Sequence, residues 1–346
     1  MTFDDNSDRI KIVTQALESR GINNFTNFAI LKGDASTRSY YRIQNPNYSY
    51  IIMDYNHPLD DHSKDFLSIQ NCLENYDIPV PHIYWFDESC GLIMLEDLGD
   101  ETLQKITMQK RKNNLEHLYD GVFQILLNMQ QIPRMNNRGE KTLQRSFSLK
   151  KFYDELVFFE THFMHKLCRM DLSSKYADDL HEIFYCICQE ITDMQFVFTH
   201  RDFHSRNIMV KNNAYFLIDF QDARWGPVLY DLSSYLRDAY VRLPEDLIRM
   251  TRNRFYKFVS HHFSGSNHFR EKFAYTCIQR NLKALGTFGF QAVERKNLHY
   301  LKYIDNLFEH LKTEISFINE TTISSFLKTL IANLEEHQSS KCNVKH

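Results

Sequence analysis

The chain has 346 residues, of which 43% are hydrophobic and 14% aromatic, and its formal net charge is −3. This apolar content excludes a disordered or low-complexity protein, and the 41 lysines and arginines are spread along the chain without forming a basic patch for nucleic acid. The ten glycines spell neither G-x-G-x-x-G nor G-x-x-x-x-G-K-[ST], which excludes the standard dinucleotide fingerprint, the P-loop and the usual glycine-rich loop of protein kinases.

The sequence shows no feature of secretion or membrane insertion. Its first ten residues, MTFDDNSDRI, are acidic and lack the apolar core of a signal peptide. No run of 18 apolar residues occurs, so we expect no membrane span. The seven cysteines lack C-x-x-C and zinc-knuckle spacing, which favours reduced thiols in a cytoplasmic protein. No feature indicates an obligate protein partner.

The first hundred residues predict a small lobe built on a sheet. Helices are expected over 8–20, ending at Gly21, and over 61–75. The expected strands, which are separated by turn-rich segments, are 28–32, 40–43, 50–53, 83–86 and 92–95. Together they predict a five-stranded antiparallel sheet with one helix inserted after the third strand.

From about Asp100 onward helical periodicity dominates. Helices are expected over 113–130, 150–168 and 176–193, and strand-like runs recur only around 196–220. We therefore predict an α+β fold of two lobes, a small lobe over residues 1–97 and a larger helical lobe over 98–346. The crevice between two lobes is the expected place for a ligand.

One stretch of the second lobe carries the residue types of phosphoryl transfer. It reads HRDFHSRN from His200, and Asp219 follows 12 residues after Asn207 at the end of an apolar strand. Phosphoryl transfer from ATP requires a carboxylate that orients the attacking hydroxyl and accepts its proton, and Mg²⁺ requires oxygen ligands. Asp202 suits the first role, and Asn207 and Asp219 suit the second. The spacing predicts a phosphotransferase that uses ATP and Mg²⁺.

The same stretch, HRDFHSRNIM followed by LIDFQDARWGPVLYDL, resembles the aminoglycoside phosphotransferase family, relatives of the protein kinases. The resemblance implies a two-lobed, protein-kinase-like fold. It also implies that His200 orients the catalytic loop and that Asp231 buttresses it, with neither residue touching the substrate.

Four further segments resemble one branch of that family, the bacterial cell-wall sugar kinases. They are GDASTRSYYR from residue 33, MLEDLG from 94, DFQDA from 219 and QRNLKALGTF from 279. The resemblance implies transfer of the γ-phosphoryl group of ATP onto the anomeric hydroxyl of N-acetylmuramate or N-acetylglucosamine. The expected partner is then a small-molecule sugar.

The phosphates of ATP are expected at the first hairpin, where Gly33 permits a tight turn. Backbone N–H groups and the hydroxyls of Ser36 and Thr37 can meet phosphate oxygens, whereas the alternative is an ordinary turn that contacts nothing. By the same resemblance adenine lies against the connector between the lobes. Backbone groups near Glu96 and Leu98 are expected to read its edge.

The sequence departs from the protein kinases at their phosphate-binding lysine, because Met53 stands at that position. Arg38 and Arg42 are the candidate cations, since a guanidinium binds phosphate with two hydrogen bonds. The alternative for both is a solvated arginine of the hairpin.

Substrate is expected near Asp202 on the second lobe. Asp222 and Arg224 follow Asp219 closely and are candidates for sugar hydroxyls or a lactyl carboxylate. Glu155 or Glu160, on the helix over 150–168, is a further candidate, with a solvated helix carboxylate as the alternative.

Two other functions stay open at this point. The first is a related kinase that acts on an aminoglycoside, choline or a similar small alcohol, and the charge around Asp202 would distinguish it. The second is a nucleotide-binding pseudokinase, suggested by Met53, although Asp202, Asn207 and Asp219 are all present.

Overall fold

The computed structural model describes residues 3–23, 25–31, 38–109, 115–134 and 142–342. The chain divides into two compact units, the first made of Met1–Glu101 with Met209–Asp222 and the second of Thr102–Ile208 with Ala223–His346. The chain thus returns to the first unit for a short segment that contains Asp219. The boundary expected between residues 97 and 98 stays a prediction.

The first unit contains the predicted five-stranded antiparallel sheet, with its strands in the order β1-β2-β3-β5-β4. Its elements are α1 (Phe3–Glu18), β1 (Asn27–Leu31), β2 (Ser39–Asn45), β3 (Tyr48–Asp54), α2 (Asp61–Asn75), β4 (Ile83–Asp87) and β5 (Leu92–Glu96). A hairpin, β7 (Ile208–Lys211) and β8 (Ala214–Leu217), begins the returning segment. Helix α2 has the predicted bounds, and Gly21 adopts a φ of 77° just after α1.

Side-chain alternation gives the sheet two different faces. Tyr41, Ile52 and Met94 are cross-strand neighbours, and they are buried in one cluster with apolar residues of α1. Because successive side chains of a strand point to opposite faces, Arg42 and Met53 lie on the face away from α1. That second face carries the candidate cation and the residue at the lysine position.

The second unit is mostly helical, and several of its described helices pack against one long helix. Its elements are α3 (Leu103–Gln109), α4 (Leu115–Gln130), α5 (Leu149–Phe159), α6 (Ser174–Thr192), β6 (Phe196–Thr199), β9 (Arg224–Pro227), α7 (Tyr230–Leu236), α8 (Glu245–Val259), α9 (Ser266–Val293), α10 (Ile304–Ile315) and α11 (Thr321–Cys342). A π-helical segment, Glu160–Leu167, continues α5. Over the described part of the chain, no helix has the length and apolar character needed to cross a membrane.

Two glycines allow α9 to approach α5 and the π-helical segment closely. A Cβ atom on Gly286 would lie 2.7 Å from the Cα of Phe159, and one on Gly289 would lie 2.5 Å from the carbonyl oxygen of His162. Both neighbours are backbone atoms, which cannot rotate out of the way. The glycines therefore fix the position of α9 and of the polar side chains it carries.

We expect Gly289→Ala to lower the free energy of unfolding by about 1–3 kcal/mol, because the added methyl group overpacks a backbone contact. The better helix propensity of alanine, about 1 kcal/mol, acts in the opposite direction. Urea unfolding followed by circular dichroism measures the difference. A stability equal to or above that of the wild type would contradict the close approach.

Candidate active site

A buried carboxylate shapes the loop that follows β6. Asp231 accepts hydrogen bonds from the backbone N–H groups of His200 and Arg201, at 2.6 and 3.0 Å. Burial raises the pKa of Asp231 to about 7, against the effect of these two donors. The backbone N–H of Asp202 in turn donates to Nδ1 of His200 at 3.3 Å. If His200 orients the catalytic loop and Asp231 buttresses it, both must contact the backbone of that loop, and both do.

A second buried carboxylate, Asp238, holds the next part of the loop. It accepts from the backbone N–H groups of Ser205 and Tyr240, each at 2.7 Å. Between these anchors, Nδ2 of Asn207 donates to the backbone carbonyl of Asp202 at 3.0 Å. This contact uses the amide nitrogen of Asn207 and leaves its amide oxygen available to a cation.

The two carboxylate oxygens of Asp202 differ in their contacts. Oδ1 lies 3.2 Å from Nζ of Lys283 and 3.5 Å from Nη1 of Arg280. Among the residues that the structure describes, Oδ2 has no hydrogen-bond partner, and the side chain is 31% exposed. Burial acts to raise the pKa of this carboxyl, but Lys283 and Arg280 outweigh it and hold the pKa well below its usual range. One oxygen is thus held by cations and the other can accept a hydroxyl.

Both cations come from α9, one helical turn apart. Arg280 also donates to Oη of Tyr230 at 2.9 Å, and its guanidinium lies 4.7 Å from the centre of that ring. Burial lowers the pKa of Lys283 to about 8, while Asp202 acts in the opposite direction. Arg280 is therefore fixed on two sides, whereas Lys283 has one described partner.

Asp202 opens into a cavity, and every residue that lines it belongs to the second unit. Its lining includes His204, Tyr240, Asn281, Lys283, Thr287 and Phe288. Asp202 is the one carboxylate of this lining, which also contains three cationic side chains, Arg237, Arg280 and Lys283. Arg237 is paired with Glu245 and Glu314, so Arg280 and Lys283 are the cations that face Asp202. Burial lowers the pKa of His204 to about 3, so its ring is neutral near pH 7. The cavity favours an uncharged or anionic ligand.

In the first unit, Arg42 is engaged in ion pairs. Its guanidinium donates to Asp97 at 3.0 Å and to Asp100 at 2.9 Å. The neighbouring Glu96 is paired with Lys211 at 2.7 Å. With a side chain that is 12% exposed, Arg42 is not a solvated arginine, and that alternative is wrong.

Arg38 lies beside the position of the missing lysine. Its Nη1 atom is 3.7 Å from Sδ of Met53, and its Nη2 atom is 3.7 Å from Oδ1 of Asp219. The side chain is 14% exposed, so the solvated alternative is wrong here too. Asp219 itself adopts a φ of 63°, and its carboxylate is 49% exposed. Arg38 thus brings a positive charge to the candidate metal ligand of its own unit.

A family model described as the phosphotransferase enzyme family matches residues 27–263, which is more than half of the chain. The chain belongs to this family. The predicted enzyme class, a phosphotransferase, is confirmed.

Proteins similar to this phosphotransferase include two curated bacterial enzymes named N-acetylmuramate/N-acetylglucosamine kinase. The one from Pseudomonas aeruginosa is 26% identical over 292 residues, with 82% of each chain covered. The one from Pseudomonas putida is 29% identical over 217 residues, which are 61% of this chain and 60% of that protein. Among solved structures, the ADP-bound aminoglycoside phosphotransferase APH(2'')-Ib superposes with a TM-score of 0.60 at 15% identity, covering 90% of this chain and 99% of that one. The fold likeness and the five-stranded sheet confirm the predicted fold class.

Two of the predicted substrate ligands of the phosphotransferase, Glu160 and Arg224, have described contacts outside the cavity beside Asp202. Glu160 lies 3.4 Å from His165 and 3.3 Å from His181, and Arg224 lies over the ring of Phe147 at 5.3 Å. Neither Glu160 nor Arg224 lines the cavity beside Asp202.

The remaining candidate ligands lie in either unit or outside the described residues. Glu155 is buried and accepts a hydrogen bond from Gln279 at 3.0 Å, so both candidate glutamates of this helix are buried and the solvated alternative is wrong for them. Asp222 belongs to the first unit, and Leu98 is buried in the connector. The hairpin residues Gly33, Ser36 and Thr37 lie outside the described residues.

Sequence reasoning missed the residues that surround Asp202. Arg280 and Lys283 entered only through the resemblance of their segment, and Asp238 and Asn281 were given no role. A signal was present, because Arg280, Lys283 and Thr287 recur at helical spacing within α9. Asp238 follows Asp231 by seven residues, about two helical turns.

Proposed function

We propose that the protein transfers the γ-phosphoryl group of ATP onto the anomeric hydroxyl of an N-acetylated amino sugar, N-acetylmuramate or N-acetylglucosamine. The names of the two Pseudomonas relatives support the acceptor. The observation that carries the proposal is the carboxylate of Asp202, with Oδ1 held by two cations and Oδ2 able to accept a hydroxyl.

In this proposal Asp202 orients the sugar hydroxyl and receives its proton. Its lowered pKa keeps it ionised near pH 7 but makes it a weak base. A weak base is adequate, since phosphoryl transfer passes through a loose transition state in which positioning contributes most. An anomeric hydroxyl is also more acidic than an ordinary alcohol and gives up its proton more readily.

Asn207 and Asp219 are the proposed ligands of Mg²⁺. The amide oxygen of Asn207 and the half-exposed carboxylate of Asp219 are hard oxygen donors, and these fit Mg²⁺. Mg²⁺ is usually held by one or two protein oxygens together with phosphates and water, so no larger set of protein ligands is needed. When bound, it neutralises charge on the phosphates.

Arg38 is the proposed phosphate cation of the first unit. Arg42 is already paired with two carboxylates, whereas Arg38 lies beside Met53 and Asp219. A guanidinium there supplies the charge that the lysine supplies in protein kinases. Glu96 and Leu98 for adenine, and Gly33, Ser36 and Thr37 for the phosphates, stay parts of the proposal.

The charge of the cavity counts against a cationic acceptor such as an aminoglycoside or choline. A cation is favoured by a lining rich in carboxylates. Here the charge of Arg237 is compensated by Glu245 and Glu314, but Arg280 and Lys283 accompany Asp202. A neutral or acidic sugar avoids the repulsion that these side chains would exert. The same observation therefore favours the sugar kinases within the family.

We expect Asp202→Asn to lower kcat about 10²- to 10⁴-fold, because an amide neither accepts the proton nor orients the hydroxyl as a carboxylate does. ATP binding, measured by isothermal titration calorimetry, should persist. Asp178→Asn, at an exposed position of α6, is the matched control and should leave kcat unchanged. Near-normal turnover of N-acetylmuramate and N-acetylglucosamine by Asp202→Asn would overturn the assignment.

We expect Arg38→Ala to lower kcat/KM for ATP about 10- to 100-fold, because a charge-assisted contact with phosphate is lost. Arg38→Lys should recover part of the loss, since it keeps the charge. Arg42→Ala should mainly lower the melting temperature, because it breaks the ion pairs of the connector. If Arg42→Ala impairs ATP use more than Arg38→Ala does, the assignment of the two arginines is reversed.

A further inference from the structure

The cavity beside Asp202 contains hydrogen-bond donors that its described contacts do not use. The ammonium group of Lys283 has three N–H bonds, and its described hydrogen bond goes to Asp202 at 3.2 Å. Asn281 is 2% exposed, and its Nδ2 atom has no partner among the described residues. Both side chains line the same cavity. Buried donors without an acceptor are costly, so a ligand with acceptor oxygens suits this wall.

The side chains paired around Asp202 also carry an excess of positive charge. Asp202 contacts both Lys283 and Arg280, and Glu155 lies 3.7 Å from Arg201. Three cations therefore face two carboxylates that are paired with them, and the neutral His204 adds no charge near pH 7. Asp231, which accepts from the backbone N–H of Arg201, is a third acidic group, but burial raises its pKa to about 7. Because Asp231 is only partly ionised near pH 7, the cluster keeps positive charge that a further anion would balance.

Lys283 is the cation of this cluster best placed to meet that anion. Arg280 is held by Tyr230 on one side and by Asp202 on the other. Lys283 is 15% exposed and follows Arg280 by one turn on the helix face that continues to Thr287 in the cavity lining.

We infer that Lys283 binds a carboxylate carried by the acceptor sugar, close to the hydroxyl that Asp202 orients. The inference rests on the proposed function and deepens it, because N-acetylmuramate differs from N-acetylglucosamine by a lactyl ether that ends in a carboxylate. Lys283 then gives the enzyme a preference for the acidic sugar. Asn281 is a further donor for the oxygens of the same ligand.

The phosphoryl group in transfer is a second anion that an ammonium group binds, as it does a carboxylate. The carboxylate is favoured because the phosphates and Mg²⁺ already have Arg38, Asn207 and Asp219 as their proposed ligands, whereas Lys283 and Asn281 line the cavity proposed for the acceptor and have no other assigned ligand. The two sources differ in their consequences. A contact with the phosphoryl group supports every acceptor equally, but a contact with the carboxylate supports the acidic sugar alone.

The test compares kcat/KM for N-acetylmuramate, its uncharged primary amide and N-acetylglucosamine at saturating ATP and Mg²⁺. For the wild type we expect the acid to exceed its amide about 10- to 100-fold, the range of one charge-assisted hydrogen bond. Lys283→Gln should bring the ratio of kcat/KM for the acid to kcat/KM for the amide close to 1. Lys283→Arg should retain most of the wild-type ratio. Lys257→Gln, at an exposed position of α8, is the control and should not change it.

The ratio is measured within each protein, so a variant that folds in reduced yield still reports it. The wild-type comparison of acid with amide needs no variant at all. Equal use of acid and amide by the wild type, or an equal loss for all three sugars in Lys283→Gln, overturns the inference and leaves the proposed function standing. If the wild type phosphorylates none of the three sugars, the proposed function itself fails.

Discussion

The contact between Asp202 and the two cations of α9 is the interaction on which the site depends. Removing charges from water is costly unless each finds a partner, so a carboxylate next to Lys283 and Arg280 has a defined position. Its Oδ1 is held by them, and Oδ2 is left without a hydrogen-bond partner among the described residues. Two other features of the second unit maintain this geometry. Asp231 and Asp238 hold the loop through backbone N–H groups, and glycines of α9 set the position of the helix.

Local structure in the first unit was predictable because short-range patterns determine it. The alternation of β2 predicts a strand over 40–43, and the strand extends over Ser39–Asn45. Helix α2 occupies the predicted range because an aspartate N-cap and a capping box define its start. In the second unit the expected helix over 150–168 is correct in extent, but it changes from α5 to a π-helical segment at Glu160. The contact with α9, which the local sequence does not reveal, lies at this change.

The surroundings of Asp202 were not predictable in the same way. Lys283 lies 81 residues further along the chain, and only the packing of α9 brings the two together. The two arginines of the segment over residues 38–42 were equally hard to tell apart from the sequence. Arg38 and Arg42 look equivalent in sequence, and they differ because one meets the carboxylates of the connector while the other lies beside Met53 and Asp219. The chemistry of the motif could be predicted, whereas the charge and polarity of the acceptor cavity required the structure.

In the proposed reaction, Asp202 presents the anomeric hydroxyl of an amino sugar to the phosphoryl donor. The most direct measurement is ³¹P NMR of the product formed from ATP, Mg²⁺ and N-acetylmuramate or N-acetylglucosamine. We expect a sugar phosphate whose phosphorus couples to H1 of the ring, because the new bond is to O1. A product whose phosphorus couples instead to the protons on C6, or the absence of any sugar phosphate, would contradict this expectation.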